Sequence, residues 1–240
     1  MPNAHIVKSY DDELRLLRDQ IAQMGGLAEA QLKDAVDAVV RRDPELAERV
    51  VRADARIDAL EHDVMQRTIR MLALRQPMAA DLREVVSALR IAGDIERIGD
   101  YAKNIAKRVK ILAQQMPVRS ASAIKRMGDL VQEIIKQVLD AYVNLDTDSA
   151  LEAWRRDEQV DALYNSLFRE LLTYMMEDPR TITPCTHLLF IAKNIERIGD
   201  HATNVAEILF FQVRGTLLDE ERPKVDSVEL AAAGTTGGRA

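Results

Sequence analysis

The hexapeptide Ile95-Glu96-Arg97-Ile98-Gly99-Asp100 recurs letter for letter as Ile195-Glu196-Arg197-Ile198-Gly199-Asp200. The identity continues outward, from Ile91, Ala92, Ala102, Asn104 and Ala106 to Ile191, Ala192, Ala202, Asn204 and Ala206. A repeat of this length means that one structural unit was built twice in tandem and stacked. The second copy is also an internal control. A residue kept in both copies serves both, whereas Gly93 against Lys193 is free to differ.

Low aromatic content, few Gly and Pro, and dominance by Ala, Leu, Ile, Val, Arg, Asp and Glu point to an all-α chain, because those residues lose little on entering a helix. The 240 residues divide between two similar halves, each long enough to bury a core. A formal charge of -6 argues against general nucleic-acid binding, which relies on a basic patch or stripe. The single cysteine, Cys185, cannot form an intramolecular disulfide, and neither half has the Cys/His spacing of a zinc site. Met1 to Asp12 hold no apolar secretory core, and no uncharged apolar run approaches the ~18 to 20 residues that span a bilayer. The expectation is a cytoplasmic protein that meets a membrane only through partners.

Apolar residues at alternating spacings of three and four, from Leu14, Leu17 and Ile21 to Val39, predict a first helix starting near Ser9 or Asp11 and ending near Arg42. Asp43-Pro44 reads as an N-cap followed by proline at the first helical position, where a missing N–H costs nothing. A second helix then carries Leu46 through Leu72, and after Gln76-Pro77 a third carries Leu82 through Leu112. The second half repeats this plan over Ile124 to Leu145, Ala150 to Met176, and about Pro184 to Val213. The reading is two tandem three-helix bundles, residues 9–116 and 118–215, made of six long antiparallel helices. Helices longer than the ~10 to 14 residues of an average globular one make the molecule elongated. Residues 222–240 have the composition of a disordered tail.

On a helix, residues four apart stand one above the other, so Glu96, Asp100 and Asn104 form a column of oxygen-bearing side chains that Glu196, Asp200 and Asn204 duplicate. At about 100° per residue from Ile98, the stripe of Ile91, Ile95, Ala102, Ile105 and Val109 spans roughly -20° to +60°, and Glu96 and Asp100 fall near ±160°. The carboxylates are therefore expected to face outward. The preceding helix carries a related pair in each half, Asp54 with Asp58 and Asp157 with Asp161, each just before or within a shared Asp-Ala-Leu. Like charges four apart cost a helix ~0.2 to 0.5 kcal/mol, so duplicating four such pairs calls for a compensating ligand. Oxygen donors without Cys or His select a hard cation, magnesium, calcium, manganese or iron. A solvated acidic face with ordinary ion pairs, such as Arg97 with Asp100, is the competing reading. The duplicated helix-interior Gly99 and Gly199 cost ~1 kcal/mol each against Ala and favour a site, or else a close helix–helix approach.

Other residues rank lower. His201 has Tyr101 in its place in the first copy and reads as a surface histidine. Arg83 has no counterpart near His187, so an anion-binding role would be confined to the first half. Met71, Met175 and Met176 read as core filler, and Cys185 lacks a nucleophile's apparatus.

Asp43, Ala47, Asp54, Asp58, Gln76-Pro77, Asp81-Leu82-Arg83 and the first hexapeptide with Asn104-Ile105-Ala106 resemble the first repeat of the PhoU family. Asp157, Asp161, Glu177-Asp178-Pro179 and the second hexapeptide with His201, Ala202, Asn204 and Glu207 resemble the second. The resemblance covers about Ser9 to Gly215. It implies a cytoplasmic, dimeric, non-enzymatic regulator of phosphate uptake in bacteria. Such a regulator connects the phosphate ABC transporter ATPase with a two-component histidine kinase and represses the phosphate-starvation response when phosphate is plentiful. It further implies metal ions, iron or zinc clusters among them, at Asp54, Asp58, Glu96, Asp100, Asp157, Asp161, Glu196 and Asp200. Asp94 becomes Asn194 and the Asp-Leu-Arg element is missing from the second half, so equal loading of the two halves does not follow. The alternatives are a metal-free helical scaffold and a carboxylate-bridged di-metal oxidase. The latter needs inward Glu-x-x-His motifs, which this chain lacks.

Overall fold

The computed structural model describes residues 3–219, with side chains from residue 10 onward. The described residues fold into helices only: α1 (Asn3–Arg41), α2 (Pro44–Ala53), α3 (Ala55–Arg75), α4 (Ala79–Leu112), α5 (Ala121–Asn144), α6 (Thr147–Arg155), α7 (Asp157–Glu177), a 3-10 turn (Pro179–Thr181) and α8 (Ile182–Arg214). The tail expected over residues 222–240 lies outside the described residues.

The cap anticipated at Asp43 has an unanticipated counterpart at Asp146, and each restarts the chain as a helix. Asp43 accepts from the backbone N–H of Glu45 and Leu46, both at 3.0 Å, and Asp146 does the same for Asp148 and Ser149 at 3.0 and 3.1 Å. Gly215 ends α8 in the left-handed region at φ 76°, which suits a residue without Cβ. The Arg42 guanidinium donates to the carbonyls of Leu112 and Gln115, so the end of α1 holds the end of α4.

The second helix of each repeat departs from expectation, because it is two helices. The α-helical ladder is interrupted at Asp54 and again near Arg156, although both residues keep right-handed backbone angles. Periodicity cannot detect such a break, since the apolar positions stay in phase across it.

In each repeat the first and third helices run parallel with the second, broken rod antiparallel between them. Arg18 meets Glu84 and Arg42 meets Leu112, whereas Arg67 meets Gln20 and Arg75 meets Glu13. The repeats join along α4 and α8, which are antiparallel: Arg83 reaches Gln212, Asp94 reaches His201, and Arg108 reaches His187. Both contribute to one continuous apolar core, with Ile91, Ile95, Ile98 and Ile105 of α4 and Ile191, Ile195, Ile198 and Val205 of α8 all buried. Each such side chain contributes roughly 1.5 to 3 kcal/mol on burial, so the two halves stabilise one another. No helix among the described residues is long and apolar enough to cross a membrane.

A second reciprocal contact, unseen in the sequence, joins α1 to α5. A Cβ on Gly25 would press on Leu139, and one on Gly128 would lie 2.7 Å from Val36 Cγ2. Gly128 and Leu139 occupy in the second repeat the places of Gly25 and Val36, so the contact is one interaction made twice about a pseudo-two-fold axis. Gly128→Ala should destabilise by about 1 to 2 kcal/mol, because buried, β-branched Val36 has no rotamer to retreat into. Gly26, with open space around its Cβ position, should gain about 1 kcal/mol on change to Ala. Urea denaturation of the two variants reads both signs.

Candidate functional site

The first carboxylate group is built around the interruption between α2 and α3. Asp54 is 4% exposed there and accepts a 3.1 Å hydrogen bond at Oδ1 from the Gln31 side-chain amide of α1. Gln31 Nε2 also donates to the Val50 carbonyl at 3.3 Å. From α4, the Lys103 ammonium bridges Asp54 Oδ2 and Asp100 Oδ1, the latter at 2.6 Å. Burial works against the charge on Lys103, but the hydrogen bonds and charges of Asp100 and Asp54 win and push its pKa well above the usual lysine value. Burial likewise works against the Asp100 carboxylate, and the Lys103 ammonium holds its pKa below normal.

Gly99 stands directly over this group. A Cβ there would lie 2.9 Å from Ile57 Cδ1, 3.2 Å from Gln31 Oε1 and 3.4 Å from Asp54 Oδ1. The duplicated glycines thus mark a close approach: a Cβ at Gly99 would press on Ile57 and on the Gln31 amide oxygen above the buried aspartate. Gly199 repeats it, its Cβ position being 3.0 Å from Asp157 Oδ1.

Asp58 is exposed on α3 and Glu96 is half-buried on α4. Together with Glu61, Arg90, Gly93, Asp94 and Arg97 they line an open cleft of about 590 Å³. Burial, and then the negative charge of Asp54, raises the Asp58 carboxyl; burial, and then Asp100, raises Glu96. Arg97 lies 3.6 Å from both Glu96 and Asp100.

The second group exchanges its cation, with Thr203 at the place of Lys103 and Lys193 at the place of Gly93. Asp157 is 2% exposed beneath Gly199, as Asp54 is beneath Gly99, but Thr203 replaces Lys103. The Thr203 hydroxyl turns back to donate to the Asp200 carbonyl at 2.8 Å and brings no charge. Half-buried Glu196 accepts from Lys193 Nζ at 2.7 Å through Oε1, while its Oε2 is buried without a hydrogen-bond partner. Burial raises the Glu196 carboxyl despite Lys193. Asp161 and Asp200 are half-buried nearby in sequence on α7 and α8.

The expectation of outward-facing carboxylates therefore needs correction. Asp54 and Asp157 are buried, and Glu96, Asp100, Asp161, Glu196 and Asp200 sit partly covered in the seams where α3 packs on α4 and α7 on α8; Asp58 alone is fully outward. A single apolar stripe does not describe the covered face of α4. In the structure Ala92, Gly99 and Ala106 are buried too, which extends the covered arc of α4 from roughly -20° to about +120° and brings it up against the carboxylates. Among the described residues no three Asp, Glu, His or Cys side chains converge as a metal-ion cluster. Chemically, each group holds a lysine ammonium, Lys103 across Asp54 and Asp100 in the first and Lys193 on Glu196 in the second, and the second also leaves Glu196 Oε2 buried without a hydrogen-bond partner.

His201 is likewise not a surface residue. Its Nδ1 lies 2.7 Å from Asp94 Oδ1 across the α4–α8 contact, where Asn204 Nδ2 also donates at 3.1 Å, and its ring packs 5.6 Å from that of Tyr101. Asn194, the copy of Asp94, donates instead to the Phe190 carbonyl. The clue lay in the copies, because Asp94/Asn194 and Tyr101/His201 change together. Asp94→Asn should cost about 1 kcal/mol through loss of a charged acceptor for His201 and Asn204, measurable by thermal unfolding. Arg83 lies against the end of α8, its Nε 3.4 Å from the Gln212 carbonyl and its guanidinium packed on Gly215. Cys185 is buried, and burial pushes its thiol pKa up.

The PhoU domain profile matches residues 21–109 and again residues 124–209. A protein of Caulobacter vibrioides (strain NA1000 / CB15N), named phosphate-specific transport system accessory protein PhoU homolog, is 54% identical over 223 residues, 92% of this chain and 97% of that protein. The protein of the same name from Rhizobium meliloti (strain 1021) is 49% identical over 227 residues, 94% and 96% of the two chains. The crystal structure of PhoU from Pseudomonas aeruginosa superposes with a TM-score of 0.83 at 40% identity, covering 86% of this chain and all of that one. The phosphate transport system regulatory protein PhoU from Streptococcus pneumoniae superposes with a TM-score of 0.82 at 29% identity, covering 88% of this chain. With both helical repeats matched in order and one copy of the duplicated hexapeptide inside each, the chain belongs to the PhoU family.

Proposed function

We propose that this protein regulates phosphate uptake as a cytoplasmic, homodimeric adaptor between the phosphate ABC transporter ATPase and a two-component histidine kinase, repressing the phosphate-starvation response when phosphate is plentiful. It acts by binding and carries out no chemistry of its own. One observation carries this reading: identity of about half runs through both repeats to relatives named as accessory proteins of the phosphate-specific transport system. Deleting the gene should switch on a phosphate-starvation reporter in high-phosphate medium, and re-expression of the intact chain should silence it. A reporter unchanged by deletion overturns the reading.

A hard cation belongs to the same proposal, with unequal loading of the repeats. The donor set Asp157, Asp161, Glu196 and Asp200 fits such an ion, supported by the partnerless Glu196 Oε2. Asp54, Asp58, Glu96 and Asp100 fit it less well, because the Lys103 ammonium already bridges two of them, whereas Lys193 occupies one oxygen of Glu196. A bound cation would offer positive charge to an anion such as phosphate on an otherwise acidic face. Elemental analysis of protein purified without an affinity tag tests this. Glu196→Gln/Asp200→Asn should lose the metal, and Lys103→Met should raise the metal content above wild type. Content unaffected by both changes removes the ladders from the proposal.

A further inference from the structure

The two repeats differ most in chemistry at the groove between the short second helix and the third. In the second repeat this groove is filled: Trp154 of α6 is 1% exposed and its Nε1 donates to Glu207 of α8 at 2.9 Å. In the first repeat Val51 stands at the place of Trp154 and Lys107 at the place of Glu207. The substitution of a small side chain for an indole leaves a cleft of about 330 Å³ between α2 and α4, at the small end for an organic-ligand site.

The floor of this cleft is apolar, made by buried Ala47 and Ala106 and half-buried Val51. Its rim is cationic. Lys107 and Lys110 are exposed and have no ion-pair partner among the described residues, and exposed Arg52 lies only 3.8 Å from Glu48, a pair too solvated to neutralise either charge. Three cations against one carboxylate form a basic rim on a chain whose formal charge is -6. In the second repeat the rim positions of Glu48, Lys107 and Lys110 are Leu151, Glu207 and Phe210, so the basic character is confined to the first.

We propose that this cleft is the docking site for an acidic peptide segment of a partner protein that inserts one aromatic side chain, with flanking carboxylates pairing with Arg52, Lys107 and Lys110. The occupant is argued from the molecule's own second repeat, where the equivalent groove accepts an indole, and from the charge of the rim. An aromatic anchor in a desolvated pocket surrounded by charged contacts is the usual form of an interaction hot spot, and the rim charges add speed of encounter. The inference rests on the reading of the protein as a partner-binding adaptor, but its test does not use phosphate control.

The probe is a fluorescein-labelled peptide, Asp-Asp-Glu-Trp-Glu-Asp, titrated with the full chain and followed by fluorescence anisotropy. Binding should weaken about tenfold when the peptide's Trp is replaced by Ala, and about tenfold again as salt rises from 50 to 300 mM. Val51→Trp/Lys107→Glu, which copies the second repeat into the first, should abolish binding while leaving the helical circular dichroism intact. If that variant fails to fold, Lys107→Glu/Lys110→Glu on the surface reads the same rim. Equal binding of the Ala peptide, or undiminished binding by the rim variants, overturns the proposal. So does a tenfold gain in affinity on Asp219→Asn/Glu220→Gln/Glu221→Gln, which would assign the cleft to the chain's own acidic segment. Failure here with an intact reporter response refutes the cleft and leaves the adaptor role standing.

Discussion

Asp54→Ala should destabilise the protein by about 3 kcal/mol. Breaking a buried ion pair costs ~3 to 5 kcal/mol because the remaining charge stays buried without compensation. Here the lower end applies, since Lys103 is 22% exposed and keeps Asp100 at 2.6 Å. The Gln31 amide also loses its carboxylate acceptor inside the bundle. For a chain of this size the change lowers the melting temperature by roughly 2 to 4 °C per kcal/mol, so a fall near 6 to 12 °C is expected. The ionic part is isolated by a double-mutant cycle. Lys103→Met alone leaves Asp54 buried with only Gln31, whereas Asp54→Ala/Lys103→Met removes both charges and should recover at least 1 kcal/mol relative to the sum of the single changes. Additivity within 0.5 kcal/mol would mean that the two groups do not pair.

Trp154→Ala should cost about 3 to 5 kcal/mol, the range for removing the largest side chains from a core. Trp154 is 1% exposed, and its removal also leaves Glu207 without its indole donor. Trp154→Phe keeps a ring but not the N–H, so its smaller loss, near 1 to 2 kcal/mol, reads mainly the lost hydrogen bond, and the further loss in Trp154→Ala reads the packing. Because Trp154 is the single tryptophan, its emission reports the same site directly: blue-shifted in the native protein, red-shifted on unfolding. Val51→Ala, the matching change in the first repeat, removes a half-buried side chain and should cost less than about 1 kcal/mol. Equal costs at the two positions would mean that the groove of the first repeat is packed shut.

The helical class, the duplication, the cap at Asp43 and the breaks at Gln76-Pro77 and Pro179 were all legible, because each follows from local spacing or backbone chemistry. The eight candidate carboxylates were legible as a set because the repeat keeps them. Their burial was not. A carboxylate's exposure depends on what packs over it, and the Asp54 side chain is covered by Gln31 of α1 and Lys103 of α4, tens of residues away in the chain. Lys103 against Thr203 and Asp94/Tyr101 against Asn194/His201 are visible as differences between the copies, but no local rule says that the members of such a difference touch.

By itself, then, the sequence determined that the chain is helical, that it is one unit repeated, and that each unit carries the same acidic motif beside a glycine. Helix periodicity, capping and duplication are properties of neighbours along the chain. Packing between helices settled that Gly99 and Gly199 let their helices lie close over buried Asp54 and Asp157, and that Lys103 bridges Asp54 and Asp100 while Lys193 pairs with Glu196. It also decided that an indole fills one groove while its counterpart stays open. Those outcomes depend on which helices pack together and how closely, and close packing makes a single side-chain volume or charge decisive.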